Sequence, residues 1–242
     1  MPENVFDERI ARAYDAASAD MFDPAVLDPT VRFLAGLAGD GPALELGIGT
    51  GRVAVPLSQT GIPVQGIEIS TAMADRLRAK PGAEHIGVTI GDFATAKVDS
   101  VFPLAYLVYN TIANLMTQAE QVACFQNVAD HLAPGGRFVI EVFVPTLRLL
   151  PPGENTRAFS VTPTHVGFDE YDIANQTLVS HHYWFYGDKV ETFFTPHRYV
   201  WAAELDLMAR LAGLTLTERW ADWHRAPFTS ESTAHISVWQ KL

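Results

Sequence analysis

Cysteine is nearly absent from this 242-residue chain, which holds Cys124 alone. A single cysteine excludes an internal disulfide and a zinc site built on several cysteines. Cys124 lies beside the apolar residues Val122 and Phe125 in a predicted helix, so we expect its side chain to pack in the hydrophobic core of the protein. No other cluster of metal ligands is visible, so no metal is expected.

Basic residues and long apolar runs are also scarce. The chain has 17 Lys and Arg against 28 Asp and Glu, a net charge of −11, and no basic stripe that could neutralise phosphates. No apolar run reaches the roughly 20 residues that span a bilayer, and no basic-then-apolar leader is seen. We therefore expect neither a nucleic-acid nor a membrane partner, and a cytoplasmic location.

The most informative feature that is present is a glycine string. Residues 43–46 read as a buried strand, and Gly47, Gly49 and Gly51 follow it as G-x-G-x-G. Such a turn opening a helix presents free N–H groups to a ligand, although a tight turn without a ligand is the simpler alternative. A dinucleotide fingerprint would need glycine or alanine at position 52, where this chain has Arg52.

Acidic residues follow the next two strands. Glu68 ends a strand over residues 61–69 and lies 17 residues beyond Gly51, near the ~20 expected for an acid that accepts from ribose hydroxyls. Ser70 can cap a helix over residues 71–79. A third strand, 86–90, leads into Asp92 and Phe93. Taken alone, Glu68 would be an ordinary residue at a strand end and Asp92 an ordinary turn residue. Together they lie at the carboxyl ends of consecutive strands, and these ends line the crevice in which open α/β sheets bind ligands.

Together these motifs resemble those of the class I methyltransferases, which use S-adenosylmethionine (SAM). The resemblance implies that SAM is the cofactor, that the Asp92 carboxylate faces the adenine amine and that Phe93 packs nearby. It implies a larger set of cofactor-binding residues: Tyr14, Glu45, Gly47, Gly49, Gly51, Arg52, Glu68, Ile69, Met73, Asp92, Phe93, Tyr109 and Asn110.

Strands and helices alternate through the rest of the chain. Further strands are predicted at 104–109, 137–144, 215–223 and 234–239. Helices are predicted from a capping box at Thr117 and Glu120 to a turn at 133–136, and over 202–212. This rhythm predicts an α/β fold, a Rossmann-like three-layer sandwich whose seven-stranded sheet is mostly parallel, with an antiparallel last strand. Residues 41–144 and 201–242 would form this SAM-binding domain.

Residues 1–40 are predicted to form a helical lid, with helices over 3–19 and 30–38 separated by Asp23-Pro24 and Asp28-Pro29. In the family resembled, a Tyr-Asp pair such as Tyr14-Asp15 often places its phenol at the methionine end of SAM. Tyr14 is therefore a candidate for catalysis as well as for cofactor binding, and core packing is the alternative for this side chain.

Residues 145–200 form an insertion after the fifth strand. A loop should lead into a three-stranded antiparallel meander at 166–171, 177–186 and 190–195. Residues 159–201 hold 11 of the 26 aromatic residues and four of the eight histidines. This aromatic sheet has two interpretations. Its bulky side chains could pack against the main domain or against a second copy of the chain, which would give a homodimer. Alternatively, the sheet covers an apolar substrate pocket as a roof.

The roof is the favoured interpretation of this insertion. Alternation puts His182, Trp184 and Tyr186 on one face of the central strand and His181, Tyr183 and Phe185 on the other. We predict that the His182 face meets the substrate. Individually, each histidine is more often structural than catalytic. The substrate-binding and catalytic candidates are Asn114, His182, Trp184 and Tyr186, with His182 the possible base.

The predicted function is SAM-dependent methyl transfer to a small molecule, at nitrogen or oxygen, giving S-adenosylhomocysteine. The layout resembles bacterial methyltransferases that act on natural products and amino sugars. A non-catalytic SAM-binding protein is one alternative. A nicotinamide-dependent oxidoreductase is another, and Arg52 and the Asp92-Phe93 turn count against it.

Overall fold

The computed structural model describes residues 6–242, so the first residues of the predicted helix over 3–19 lie outside the described part. The first helix, α1, spans Glu8–Ala17, and the Asp7 carboxylate caps it by accepting from the Ile10 amide at 2.8 Å. The second, α2, spans Pro24–Ala38. These two helices precede the first strand, where the sequence predicts a helical lid.

Seven strands form the main sheet, sheet A, as predicted. They are β1 (Ala43–Leu46), β2 (Val64–Glu68), β3 (Gly87–Ile90), β4 (Phe102–Leu107), β5 (Leu132–Phe143), β10 (Leu214–Trp220) and β11 (Ala234–Lys241). Their order across the sheet is β10-β11-β5-β4-β1-β2-β3. Strand β11 runs antiparallel to both neighbours, and the pairs among β1–β5 are parallel. The carboxyl ends of the parallel strands therefore share one edge.

Helices cover both faces of sheet A, because strands buried on both sides need apolar cover on both. On one face, α5 (Gln118–His131) and α6 (Ala202–Leu211) enclose a core around Phe125, Phe138 and Trp239. On the other, α2 packs with α3 (Ala54–Gln59) and α4 (Thr71–Arg78). The predicted caps of α4 and α5 are present. No helix within residues 6–242 is long and apolar enough to cross a membrane.

Several boundaries differ from the sequence prediction. Helix α2 begins six residues early, because Asp23 caps it, Pro24 suits its first position and Pro29 is accommodated inside. Strand β4 ends at Leu107, two residues early, and the backbone turns left-handed two residues later, at Tyr109. Strand β5 begins at Leu132: the expected turn at 133–136 is an irregularity in its pairing with β4. Strand β10 ends at Trp220 rather than at residue 223.

The insertion is a separate four-stranded antiparallel sheet, sheet B, so the prediction of three strands was wrong. Its strands are β6 (Thr156–Val161), β7 (His165–Asp172), β8 (Thr177–Tyr186) and β9 (Lys189–Arg198), in that order across the sheet. The missed strand, β6, is a short, largely exposed edge strand with a bulge between Ala158 and Ser160. Its sequence therefore carries little hydrophobic alternation, and only pairing with β7 makes it a strand.

Sheet B turns one face towards the main domain at its base. Tyr171 and Thr195 are buried on the face that carries His182, and the Tyr171 hydroxyl lies 2.9 Å from the Thr146 hydroxyl just after β5. Arg198, at the end of β9, pairs with the Glu204 carboxylate of α6 at 2.7 Å. On the opposite face, Phe194 is 46% exposed.

Candidate active site at the carboxyl edge of sheet A

The glycine turn joins β1 to α3 at the carboxyl edge of sheet A. Gly49 has φ +57°, and a Cβ there would meet only the Met73 methyl at 3.6 Å and the Gly47 carbonyl oxygen at 3.9 Å. Gly51 has φ +80°, and a Cβ there would lie 2.2 Å from the Leu77 methyl of α4. Gly49 thus faces free space in which a ligand can approach the backbone, whereas Gly51 is required for packing against α4.

Glu68 holds the turn from the end of the neighbouring strand β2. Its two carboxylate oxygens accept from the Gly49 amide and from the Ser70 amide, both at 2.8 Å. The side chain is 5% exposed, and burial raises its pKa while these backbone hydrogen bonds oppose the rise. An acid in this position can also accept from ligand hydroxyls, since each carboxylate oxygen has a second lone pair.

Glu45 lies beneath the turn, inside the sheet. It is 3% exposed and accepts a hydrogen bond of 2.9 Å from the Tyr106 hydroxyl of β4. Burial raises the Glu45 pKa to about 8, against the lowering effects of the Tyr106 hydrogen bond and of Arg52. Glu45 is therefore a buried support of the turn and holds a proton over much of the neutral range.

Helix α1 carries Tyr14 to the same edge. The Tyr14 pKa is raised to about 12, first by burial and then by Tyr109, with Arg52 opposing and Glu68 and Asp15 adding to the rise. The Tyr14 hydroxyl therefore lies near enough to Arg52, Glu68 and Tyr109 to be influenced by their charges.

The next residue of α1 attaches the helix to the turn. The Asp15 carboxylate accepts a hydrogen bond from the Thr50 hydroxyl at 2.5 Å and forms an ion pair with the Lys80 ammonium at 2.5 Å. No local sequence signal indicates that Asp15 bonds to the glycine turn. The contact arises because α1 crosses the edge of sheet A.

Arg52 supplies the cation of this cluster. Its guanidinium carbon lies 5.1 Å from the centre of the Tyr109 ring, and one of its nitrogens donates to the Met21 carbonyl at 3.4 Å. Tyr109 and Asn110 both have positive φ, +56° and +60°. Such conformations cost on the order of 1–3 kcal/mol each in residues other than glycine and concentrate at functional sites.

The remaining cofactor candidates line the β2 and β3 side of the edge. Met73 and Phe93 are buried and Ile69 is half-buried, giving an apolar wall. One Asp92 oxygen accepts from the Ala94 amide at 2.9 Å and so shapes its turn. The second Asp92 oxygen makes no hydrogen bond recorded within residues 6–242.

The substrate candidates belong to a different cluster. Asn114 lies in the short helical turn Thr111–Asn114 after β4. The rings of His182, His165 and Trp184 form a triangle of near-parallel rings: the His182 centre lies 5.3 Å from His165 and 5.0 Å from Trp184, and those two centres are 4.9 Å apart. Burial and two neighbouring histidines lower the His182 pKa to about 4, so the ring is neutral. Tyr186 is 60% exposed at the outer end of β8.

Comparison with known proteins agrees with this geometry. A model of a methyltransferase domain matches residues 43–136. The solved structure of the CcbJ methyltransferase from Streptomyces caelestis is 35% identical, with a TM-score of 0.88 over 98% of both chains. The chain is a class I SAM-dependent methyltransferase.

Two further relatives extend the comparison. The methyltransferase is 26% identical, over 98% of each chain, to a cypemycin N-terminal methyltransferase from a Streptomyces species. It shares its fold with SAM-bound CalS10, an amino pentose methyltransferase from Micromonospora echinaspora, at 19% identity and a TM-score of 0.73 over 99% of each chain. The oxidoreductase alternative is thereby set aside.

The edge fits SAM chemically. SAM has one carboxylate, two ribose hydroxyls and an adenine ring, and the edge offers one guanidinium (Arg52), one carboxylate at the turn (Glu68) and an apolar wall beside Asp92. Gly49 leaves its side of the turn open for close approach of the ligand.

Proposed function

We propose that this methyltransferase methylates an amine nitrogen of a small natural-product acceptor, such as an amino sugar or a peptide amine. The relatives described above, which act on a peptide N-terminus and an amino pentose by name, support this class of acceptor. SAM supplies an activated methyl group on its sulfonium. The protein's task is therefore to hold the nucleophile in line with it, which by itself lowers the barrier by several kcal/mol.

The burial of the candidate catalytic groups, which shifts their pKa values away from those of a strong base, supports nitrogen over oxygen. With a pKa of about 12, Tyr14 keeps its proton at neutral pH and acts as a hydrogen-bond donor. With a pKa of about 4, His182 is a weak base. A hydroxyl acceptor needs a strong base to become nucleophilic, whereas an amine needs only to lose a proton to water.

In this proposal the cofactor lies across the turn. Glu68 accepts from the ribose hydroxyls, Arg52 pairs with the methionine carboxylate, and the wall of Ile69, Met73 and Phe93 contacts the adenine beside Asp92. Tyr14, carried by α1, closes the methionine end. Sheet B presents Trp184 and His182 to the acceptor, and Asn114 contributes from the neighbouring turn.

The acceptor class is tested by turnover of matched compounds. Wild-type protein is incubated with SAM and pairs of acceptors that differ only in carrying an amine or a hydroxyl at the same carbon. We expect S-adenosylhomocysteine and a methylated product from the amine members. Methylation of the hydroxyl members at equal rates would contradict the proposal, and SAM binding without turnover of any member would favour the non-catalytic alternative.

The cofactor assignment is tested at Glu68. Glu68→Ala removes charge-assisted hydrogen bonds of about 1.5–3 kcal/mol, so the Kd for SAM should rise roughly ten- to over a hundred-fold in calorimetry. Glu154→Ala, which removes an exposed carboxylate from the insertion, is the matched control. An unchanged Kd in Glu68→Ala would remove Glu68 from the site.

The role of sheet B is tested with two neighbouring aromatic residues on opposite faces of β8. Trp184→Ala should raise the KM for the acceptor and leave the Kd for SAM unchanged, because in this proposal the side chain faces the acceptor and not the cofactor. Tyr183→Ala is the control, since its ring lies on the outer face with Phe168 and Phe194. Equal effects of the two variants would contradict a substrate roof on the His182 face.

A further inference from the structure

The left-handed pair Tyr109 and Asn110 is held by a residue that the SAM site described above does not include. The Tyr109 amide donates to one Glu141 carboxylate oxygen at 2.8 Å, and the Asn110 amide donates to the Glu141 carbonyl at 3.2 Å. Glu141 lies near the end of β5, and the Asn110 side chain in turn accepts from the Phe143 amide at 3.3 Å. The strained backbone is thus tied to β5 at three points.

The second Glu141 oxygen is also occupied. It accepts from the Trp223 indole N–H at 2.7 Å, and the Trp223 ring packs edge-on against Phe33 of α2 with ring centres 5.4 Å apart. Trp223 lies in the loop between β10 and β11. A carboxylate held from both sides by N–H donors has a single orientation, and this orientation sets the position of the Tyr109 amide.

Tyr109, whose amide Glu141 holds, also contacts Arg52 through its ring. Its ring lies under the Arg52 guanidinium at 5.1 Å, and Glu141 and Arg52 both influence the Tyr109 hydroxyl electrostatically. The contacts therefore form a continuous series from Trp223 through Glu141 and Tyr109 to Arg52.

We propose that Trp223 and Glu141 are positioning residues that aim the Arg52 guanidinium at the carboxylate of the cofactor's methionine end. The inference rests on the SAM site proposed above. It makes a selective prediction. Disturbing Trp223 should weaken the binding of ligands that carry the methionine carboxylate and should leave the binding of ligands that lack it unchanged.

The test compares two probes on three proteins. Kd values for S-adenosylhomocysteine and for 5′-methylthioadenosine, which lacks the amino acid portion, are measured by calorimetry on wild type, Trp223→Phe and Trp220→Phe. Trp223→Phe keeps an aromatic ring against Phe33 and removes only the N–H donor. Trp220→Phe is the matched control, because its indole also donates to a carboxylate, that of Glu218 at 2.8 Å, away from Tyr109.

In Trp223→Phe we expect the Kd for S-adenosylhomocysteine to rise about two- to tenfold, the scale of a weakened cation–π contact, with the Kd for 5′-methylthioadenosine unchanged. Trp220→Phe should change neither. Equal weakening of both probes, or no change in either, would overturn the inference. Failure of the wild type to bind S-adenosylhomocysteine would instead overturn the proposed SAM site.

A double-mutant cycle separates positioning from general loosening of the fold. In an Arg52→Ala background, Trp223→Phe should have no further effect on S-adenosylhomocysteine, because the group it positions is gone. Glu141→Gln should raise the Kd for S-adenosylhomocysteine as Trp223→Phe does. The glutamine side chain has only one oxygen, so its NH₂ group must face either the Tyr109 amide or the Trp223 indole N–H, and that hydrogen bond is lost. Additive effects of Trp223→Phe and Arg52→Ala would show that Trp223 does not act through Arg52.

Discussion

Glu45 makes the stability of this methyltransferase depend on pH in an unusual direction. Its pKa is raised from an ordinary 4.5 to about 8 by burial. Between these two values the folded state holds a proton that the unfolded state has released. Stability must therefore fall as pH rises through this window, the reverse of what a salt-bridged carboxylate causes.

The magnitude follows from proton linkage. For a single group with these two pKa values, the free energy of unfolding falls by about 3 kcal/mol between pH 5 and pH 8. Glu45→Gln keeps an oxygen for the Tyr106 hydroxyl and has no proton to lose. The variant should thus exceed the stability of wild type by less than about 1 kcal/mol at pH 5 and by about 4 kcal/mol at pH 8.

Urea unfolding followed by far-ultraviolet circular dichroism, at half-unit steps from pH 5 to pH 8.5, measures this difference. Other groups titrate in the same range, but they are common to both proteins and cancel in the comparison. Glu154→Gln, at an exposed position, is the control and should follow wild type at every pH. Parallel curves for wild type and Glu45→Gln would refute the reasoning, because they would mean that Glu45 is ionised in the folded protein.

The remaining predictions concern the glycine turn and a buried histidine. Gly49→Val should abolish SAM binding by calorimetry while the circular dichroism spectrum stays native, because the space beside Gly49 is open and the turn lies at the surface; normal binding would make the turn purely structural. Gly51→Ala should lower the thermal midpoint, since its Cβ would lie 2.2 Å from the Leu77 methyl, and an unchanged midpoint would show that α4 shifts freely. Burial lowers the His235 pKa to about 4, so protonation on acidification from pH 6.5 towards pH 4 should destabilise the fold; His235→Gln should lose stability less steeply in acid, and an equal slope would contradict this.

Local sequence signals predicted the cofactor edge because each of its parts is short-range. The strand before Gly47, the acid ending the next strand and the caps of α4 and α5 all depend on neighbours within a few residues. Parallel strands then place their carboxyl ends together without further information. The resemblance to the methyltransferase family then assigned Tyr14, Glu68 and Arg52 to one predicted site.

Long-range contacts were beyond such signals. Glu141 follows an ordinary strand pattern, and its hold on Tyr109 depends on β5 lying beside β4 and on a loop some 80 residues later bringing Trp223 to it. An acid near the end of β5 was a usable hint, since acids also end or follow other parallel strands, yet it could not indicate which groups the carboxylate contacts. The left-handed backbone at Tyr109, which shortened β4, has no local sequence cause.

The sequence by itself indicated the family and predicted a seven-stranded, mostly parallel sheet, since glycine spacing and hydrophobic period act locally. Only the tertiary structure decided that Glu45 keeps a proton, that β6 becomes a fourth strand of sheet B, and that α1 is attached through Asp15 to the glycine turn. Each of these depends on burial or on partners distant in the chain, and a carboxylate's pKa or an edge strand's pairing exists only once those partners have been brought together.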